Sequence, residues 1–141
     1  MIADILNLPE IKKLSPRPFE YAGFNGMASC IGWFIIIFTR KGQNKISVIS
    51  LDDIHLQPKL TDLSNKILKL LNLHIKIGES TNKIITQLGK PQKSDTLLEK
   101  TERLYYLNNN CLLCIGIHEE YGIVSFDAIF DSDIINCVLN N

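Results

Sequence analysis

Apolar residues recur along the chain with two periods, and the switch between them marks the elements. From Leu60 to Leu71 the period is helical: Leu60, Leu63, Ile67, Leu70 and Leu71 fall on one face, with Asp62, Asn65, Lys66 and Lys69 elsewhere. Asp62 and Lys66 stand at i and i+4, a spacing that suits an ion pair worth a few tenths of a kcal/mol. A second helix is expected over Thr81 to Leu88, with Ser80 capping its start, Gly89 supplying a left-handed end and Pro91 preventing continuation. Near the beginning Ile2, Ile5, Leu6, Ile11 and Leu14 are apolar, but Pro9 divides the segment into two short helical turns.

Between these helical stretches the pattern is that of strands. Ile31 to Thr39 is rich in β-branched and aromatic residues and apolar at both parities, which predicts a central strand covered on both faces. Lys45 to Leu51 predicts a second strand, joined to the first as a hairpin by a turn over Arg40 to Asn44. Ser15 to Pro18 is expected to be extended, because residues before proline are pushed out of the helical region. Tyr21 to Ser29, with Gly23, Asn25 and Gly26, reads as a turn or loop. After the second helix, Leu104 to Leu107, Cys111 to His118 and Ile123 to Asp131 predict a three-stranded antiparallel meander, with turns at Asn108–Asn110 and Glu119–Gly122. In its last strand Val124, Phe126, Ala128 and Phe130 share one face; Ser125, Asp127, Ile129 and Asp131 share the other.

These elements predict an α+β fold, a mainly antiparallel sheet with helices packed on one face. The length of 141 residues suits a single domain, 1–141, and no internal repeat, linker or low-complexity tract is visible. With 45% hydrophobic and 21% charged residues there is enough apolar material for a core. The longest apolar run, Ile31 to Phe38, falls well short of the roughly 18 residues a membrane helix needs. The first residues meet Asp4 at once and carry no basic region, so no secretory leader is expected and the protein reads as cytoplasmic. Cys30, Cys111, Cys114 and Cys137 are then expected as reduced and mostly buried thiols. Cys111 and Cys114 have metal-ligand spacing, but Leu112, Leu113 and Ile115 around them read as a strand, which points side chains three apart to opposite faces. No metal or cofactor is implied.

Charge changes the picture. Bases and acids balance at 15 each, which argues against a generic nucleic-acid binder, yet residues 104–141 contain no lysine or arginine. They hold five acids, Glu119, Glu120, Asp127, Asp131 and Asp133. An acidic region without bases is a candidate docking surface for a basic partner, since complementary charge speeds encounter and fixes orientation. The competing reading is a solvated sheet face kept charged for solubility. Ile129, between Asp127 and Asp131 on the strand, has the character of an interface anchor among charges.

No reaction template has its full set of parts. His55, His74 and His118 lie in no metal-ligand spacing and adjoin no nucleophile turn. His55 follows Asp52 and Asp53, and His74 is expected at the edge of the core. The glycines form neither a dinucleotide fingerprint nor a phosphate loop, and Tyr105 and Tyr106 read as sheet packing. The chain is therefore not expected to be an enzyme.

Ile75 to Pro91 carries a resemblance: a hydrophobic residue, Gly78 and Ser80, a short helix through Ile84 and Leu88, then Gly89 and Pro91 before a tyrosine-containing meander. This resembles the module of the SmpA/OmlA and β-lactamase-inhibitor-protein-like group, and what it implies is protein binding. The expected lack of a leader and of a lipid-anchor cysteine sets the chain apart from the outer-membrane members. In size and character the chain also resembles bacterial immunity proteins of contact-dependent and polymorphic toxin systems. That resemblance implies a cytosolic inhibitor that occludes the active site of a cognate toxin, possibly a nuclease, with a basic surface; neither nucleic acid nor membrane is expected as a partner. On this reading Glu119, Glu120, Asp127, Asp131 and Asp133 steer and pair, while Tyr121 and Ile129 anchor. A non-toxin interaction module and a small Cys/His enzyme stay open as alternatives.

Overall fold

The fold is α+β, built on one continuous antiparallel sheet of eight strands. The structure, a computed structural model, describes residues 2–53 and 56–140. The chain begins with α1 (Ile2–Leu6) and α2 (Pro9–Lys12), then runs through β1 (Arg17–Tyr21), β2 (Phe24–Ile31), β3 (Ile35–Arg40) and β4 (Val48–Asp52). A second pass repeats that order: α3 (Pro58–Leu70), α4 (Thr81–Leu88), β5 (Lys93–Leu98), β6 (Thr101–Asn108), β7 (Cys111–His118) and β8 (Gly122–Ile129). A last helix, α5 (Ser132–Leu139), follows. The sheet order β1-β2-β3-β4-β8-β7-β6-β5 makes each half a meander that starts at its own edge and runs inward, so β4 and β8 meet at the centre. The sequence shows no repeat, but the succession of elements does.

Each face of the sheet has its own core. On one face Ile35, Ile37, Ile49, Leu51, Leu113, Ile115, Phe126 and Ala128 pack beneath α1 to α4, which contribute Ile5, Ile11, Leu63, Ile67, Leu68 and Ile84. On the other, Ile36, Phe38, Val48, Leu112 and Ile129 pack against Ile134 and Ile135 of α5, joined by Phe19, Tyr21 and Phe24. Ile35 to Phe38 are buried at both parities because both faces are covered, as the run of apolar residues requires.

Several boundaries differ from expectation. Tyr21 to Ser29 is strand rather than loop: Ala22 and Gly23 both hold positive φ (49° and 85°), the geometry of a two-residue hairpin turn, and β1 and β2 pair on either side. The strand expected from Ile31 begins at Ile35, because Gly32, Trp33 and Phe34 form the β2–β3 turn and leave Trp33 73% exposed. The meander has four strands, with β5 added at its edge. Asp131 is not the end of a strand: it caps α5, its carboxylate accepting from the backbone N–H groups of Asp133 and Ile134. Lys66 lies 3.7 Å from Glu10 of α2, tying α3 to α2 in place of the expected pair with Asp62.

Candidate functional site

One corner of the sheet gathers polar groups from four separate segments. Ser80, Thr81 and Asn82 open α4, Ser94, Asp95 and Thr96 lie on β5, Thr101 and Glu102 start β6, and His118, Glu119 and Glu120 end β7. With Gly78, Lys100, Ile117 and Gly122 they line an open groove of about 890 Å³. Its acidic side chains are Glu102, Glu119 and Glu120, against the single lysine Lys100; Asp95 also lines it, but its carboxylate turns to Arg103 and Tyr105 on the α5 side of the sheet.

Two glycines hold this corner together. Gly78, at φ +94°, donates its N–H to the Ile123 carbonyl at 2.9 Å, and the Ile123 N–H returns to the Glu79 carbonyl at 2.9 Å. Gly122, at φ +73°, lies so close that a Cβ there would collide with the backbone of Gly78 and Glu79. The entry to α4 is thereby fastened to the β7–β8 turn. Ser80 stands at the N-cap position as expected, but its side chain makes no capping hydrogen bond. Gly89 has φ +80° at the other end, also as expected.

The two hairpin tips at the groove are joined as well. The Glu119 N–H donates to the Lys100 carbonyl at 2.8 Å, and Lys100 Nζ is 3.7 Å from Glu120 Oε1 between two exposed side chains. His118 Nδ1 accepts from the N–H groups of Glu120 (3.0 Å) and Tyr121 (3.3 Å), which fixes the start of the turn. The Tyr121 ring stacks at 4.6 Å from His118 and is 50% exposed. Asp95 is engaged: Arg103 donates to both its oxygens at 3.1 Å and the Tyr105 hydroxyl donates at 2.8 Å. Those bonds hold its carboxyl below the ordinary range, the arginine being the larger cause. Glu102 and Glu119 make no ion pair among the described residues, which leaves the groove a net acidic lining.

The acids expected to act together do not form one surface. Glu119, Glu120 and Tyr121 precede β8, whereas Asp131 and Asp133 follow it, and eight strand residues at about 3.3 Å each separate the two groups by about 26 Å. Asp131 and Asp133 are not without a base, because the topology brings Arg40 from β3 to them at 3.2 and 2.6 Å. Asp127 lies between the groups on the α5 side of the sheet, opposite Ser50 of β4, whose hydroxyl it accepts. Burial pushes its carboxyl up to about 6, with Asp52 adding to the rise. Ile129 is fully buried beneath α5, so it is a core residue and cannot be a surface anchor. The sequence reading missed Asp95, Glu102 and the α4 entry as groove residues; the acid-to-acid spacing that finds them is set by strand pairing, not by sequence distance.

The cysteines and histidines are not brought together. Cys111 packs on the helix-covered face and Cys114 on the α5 face, the opposite placement that strand alternation demands. Burial raises the Cys111 thiol to about 11 and the Cys114 thiol to about 12, far from the thiolate a nucleophile or metal ligand needs. Cys30 is half-buried against the α5-side core, and no disulfide links cysteines among the described residues. His74 is exposed between α3 and α4 rather than packed at the core edge, and His55 lies outside the described residues. No helix among the described residues is long and apolar enough to cross a membrane. Family models, curated proteins and solved structures all fail to match the chain.

Proposed function

We propose that this chain is a cytosolic immunity protein that binds a cognate toxin domain through a basic surface and blocks its active site by occlusion. The observation that carries the reading is the open corner groove, in which Glu102, Glu119 and Glu120 outnumber Lys100 and hydroxyl and amide side chains supply further hydrogen-bonding groups. The binding surface is thus moved from the β8 face to the corner, retaining Glu119, Glu120 and Tyr121 and releasing Ile129, Asp131 and Asp133 to structural roles. Tyr121, half exposed beside the groove acids, has the aromatic character of an interface anchor.

Other features support the same reading. The residues that carry the resemblance to the β-lactamase-inhibitor-protein-like group fall in the order it implies: Gly78 in a turn, Ser80 before α4, then Gly89, Pro91 and an antiparallel meander. A standard interface takes about 800 Å² per partner, and the groove with its flanking tips offers a centre for one.

The test is co-purification of the tagged protein with the product of the gene directly upstream, followed by rescue of growth when that product is expressed. The expected result is a tight complex with rescue, weakened by salt and by Glu102→Lys, Glu119→Lys and Glu120→Lys together. Tight binding to a non-toxin product would instead make the chain a regulatory interaction module. Neither binding nor rescue overturns the proposal.

A further inference from the structure

The tip that joins β7 to β8 is shaped by an ionisable side chain. His118 ends β7, paired with Thr101 of β6 on one side and Gly122 of β8 on the other, and it lines the groove. Its Nδ1 accepts the N–H groups of Glu120 at 3.0 Å and Tyr121 at 3.3 Å, two and three residues further on. These bonds close the turn that presents Glu119, Glu120 and Tyr121, and the Tyr121 ring rests on the imidazole at 4.6 Å. A ring nitrogen that accepts carries no hydrogen; a proton added there makes it a donor that faces two other donors. Histidine is the side chain through which proteins most often sense the range between pH 5 and pH 8.

We propose that His118 is an acid-sensitive latch on the partner-binding tip: a proton on Nδ1 releases the backbone of Glu120 and Tyr121 and weakens the hold on a basic partner. The inference rests on the acidic-groove reading above and names how that site is regulated. Two effects act in the same direction. The turn loses both side-chain-to-backbone bonds, so Glu119, Glu120 and Tyr121 are no longer held in one arrangement. The groove also gains a cation, which competes with the partner's cations for the acids. The charged groups on the elements packed around the ring are Glu119 and Glu120 on its own turn, Glu99, Lys100 and Glu102 from the β5–β6 hairpin, and Lys76 and Glu79 from the approach to α4. The change stays local, because the bonds that hold the corner do not use the imidazole. Gly78 and Glu79 remain bonded to Ile123, and the Glu119 N–H keeps the Lys100 carbonyl at 2.8 Å.

The experiment compares the whole protein with His118→Asn between pH 8 and pH 5.5, above the range in which exposed carboxylates take up protons. Asparagine offers its side-chain oxygen to N–H groups two and three residues on and has no proton to gain. Asp127, raised to about 6 on the α5 side, titrates in both proteins alike. Nuclear magnetic resonance follows the His118 ring and the amides of Glu120 and Tyr121, and calorimetry follows the binding of a ten-residue lysine peptide. As the ring takes up its proton both amides are expected to move with it, and affinity for the peptide to fall about fivefold or more from pH 8 to pH 5.5. In His118→Asn the two amides should hold still and the ratio of the two affinities stay within about twofold. Amides that do not follow the ring overturn the latch, and that measurement needs no variant. A ring that keeps one protonation state across the range overturns it as well. An equal loss of affinity in the two proteins overturns the latch and leaves the acidic groove standing. No binding of the peptide at either pH overturns the groove reading, and the release of a partner with it, while the amide signals still decide whether the turn itself is unlatched by acid.

Discussion

The two halves of the molecule, α1 to β4 and α3 to β8, have the same order of elements and opposite finishes. In the first the edge strand carries proline, the helices are five and four residues long, and the strand ends are tied by Arg40 to the carboxylates that begin α5. In the second the helices are thirteen and eight residues long, the edge strand carries no proline, and the carboxylates at the hairpin tips face a groove. Element order decides where the edges of a sheet fall; the side chains at each edge decide whether it is closed or available. The acids follow the same division. Asp131 and Asp133 are consumed by a cap and a guanidinium, while Glu102 and Glu119 are not.

The largest effect is expected from breaking the lock that builds the open corner. Gly122→Ala forces a Cβ into the backbone of Gly78 and Glu79 at a φ that L residues rarely adopt. Both the strain and the collision act on a buried site, and a loss of about 3 kcal/mol is expected. Urea denaturation measures it, and Gly23→Ala, at a positive φ with open space around it, is the internal comparison with a loss of about 1 kcal/mol. Equal losses at the two positions would mean that the Gly78–Gly122 contact does not hold the corner.

Next comes the closed side. Asp131→Ala removes the cap of α5 and one partner of Arg40, and a loss of about 2 kcal/mol is expected. Affinity for the partner should stay within about twofold of the unchanged protein, since Asp131 is placed outside the groove. A large loss of affinity with little loss of stability would return Asp131 to the interface.

How far the sequence reveals these differences depends on the range of the interaction that sets them. α3, α4 and β6 to β8 follow from local periodicity and from Gly and Pro punctuation; each is present where expected, with ends that differ by up to three residues. β5 was hidden because Lys93 to Asp95 is polar at both parities, as an edge strand with one solvated face can be. α5 was hidden because the acids that cap it read equally well as a charged surface. The site was half legible: Glu119 and Glu120 belong to the groove, but the pairing of Arg40 with Asp131 spans 91 positions, and only the topology creates it. Ile129 shows the same limit, since its face was correctly assigned and its covering helix was not.

A smaller effect is expected where the two halves meet. Asp127 on β8 faces Ser50 on β4, and its carboxyl is raised to about 6 by burial. In the unfolded chain an aspartate releases its proton near 3.9, so between about pH 4 and pH 6 the folded state holds the proton more strongly. Its contribution therefore lowers stability as pH rises through that window and is flat above it. Asp127→Asn keeps a polar group beside Ser50 and removes the titration. The variant should gain about 1 kcal/mol relative to the unchanged protein on going from pH 4.5 to pH 7.5, after allowance for partial exposure. An identical pH profile for the two proteins would show that Asp127 is as well solvated folded as unfolded.

The smallest effect on stability is expected where the effect on function is greatest. Glu119→Lys with Glu120→Lys changes exposed side chains at a hairpin tip whose backbone bonds, from Glu119 to the Lys100 carbonyl and into His118 Nδ1, do not involve the carboxylates. The Glu120–Lys100 pair lost in the exchange is exposed on both sides, and such pairs contribute little. Stability should therefore stay within about 0.5 kcal/mol. Affinity for a basic partner should fall by at least about tenfold at low salt and show a flatter salt dependence, because steering and pairing charges have been reversed. The contrast with Asp131→Ala is what separates the two sets of acids: one change costs stability and spares binding, the other spares stability and costs binding. If both variants lost stability alike, the hairpin-tip acids would be structural too, and the open corner would have no claim to be the face that meets the partner.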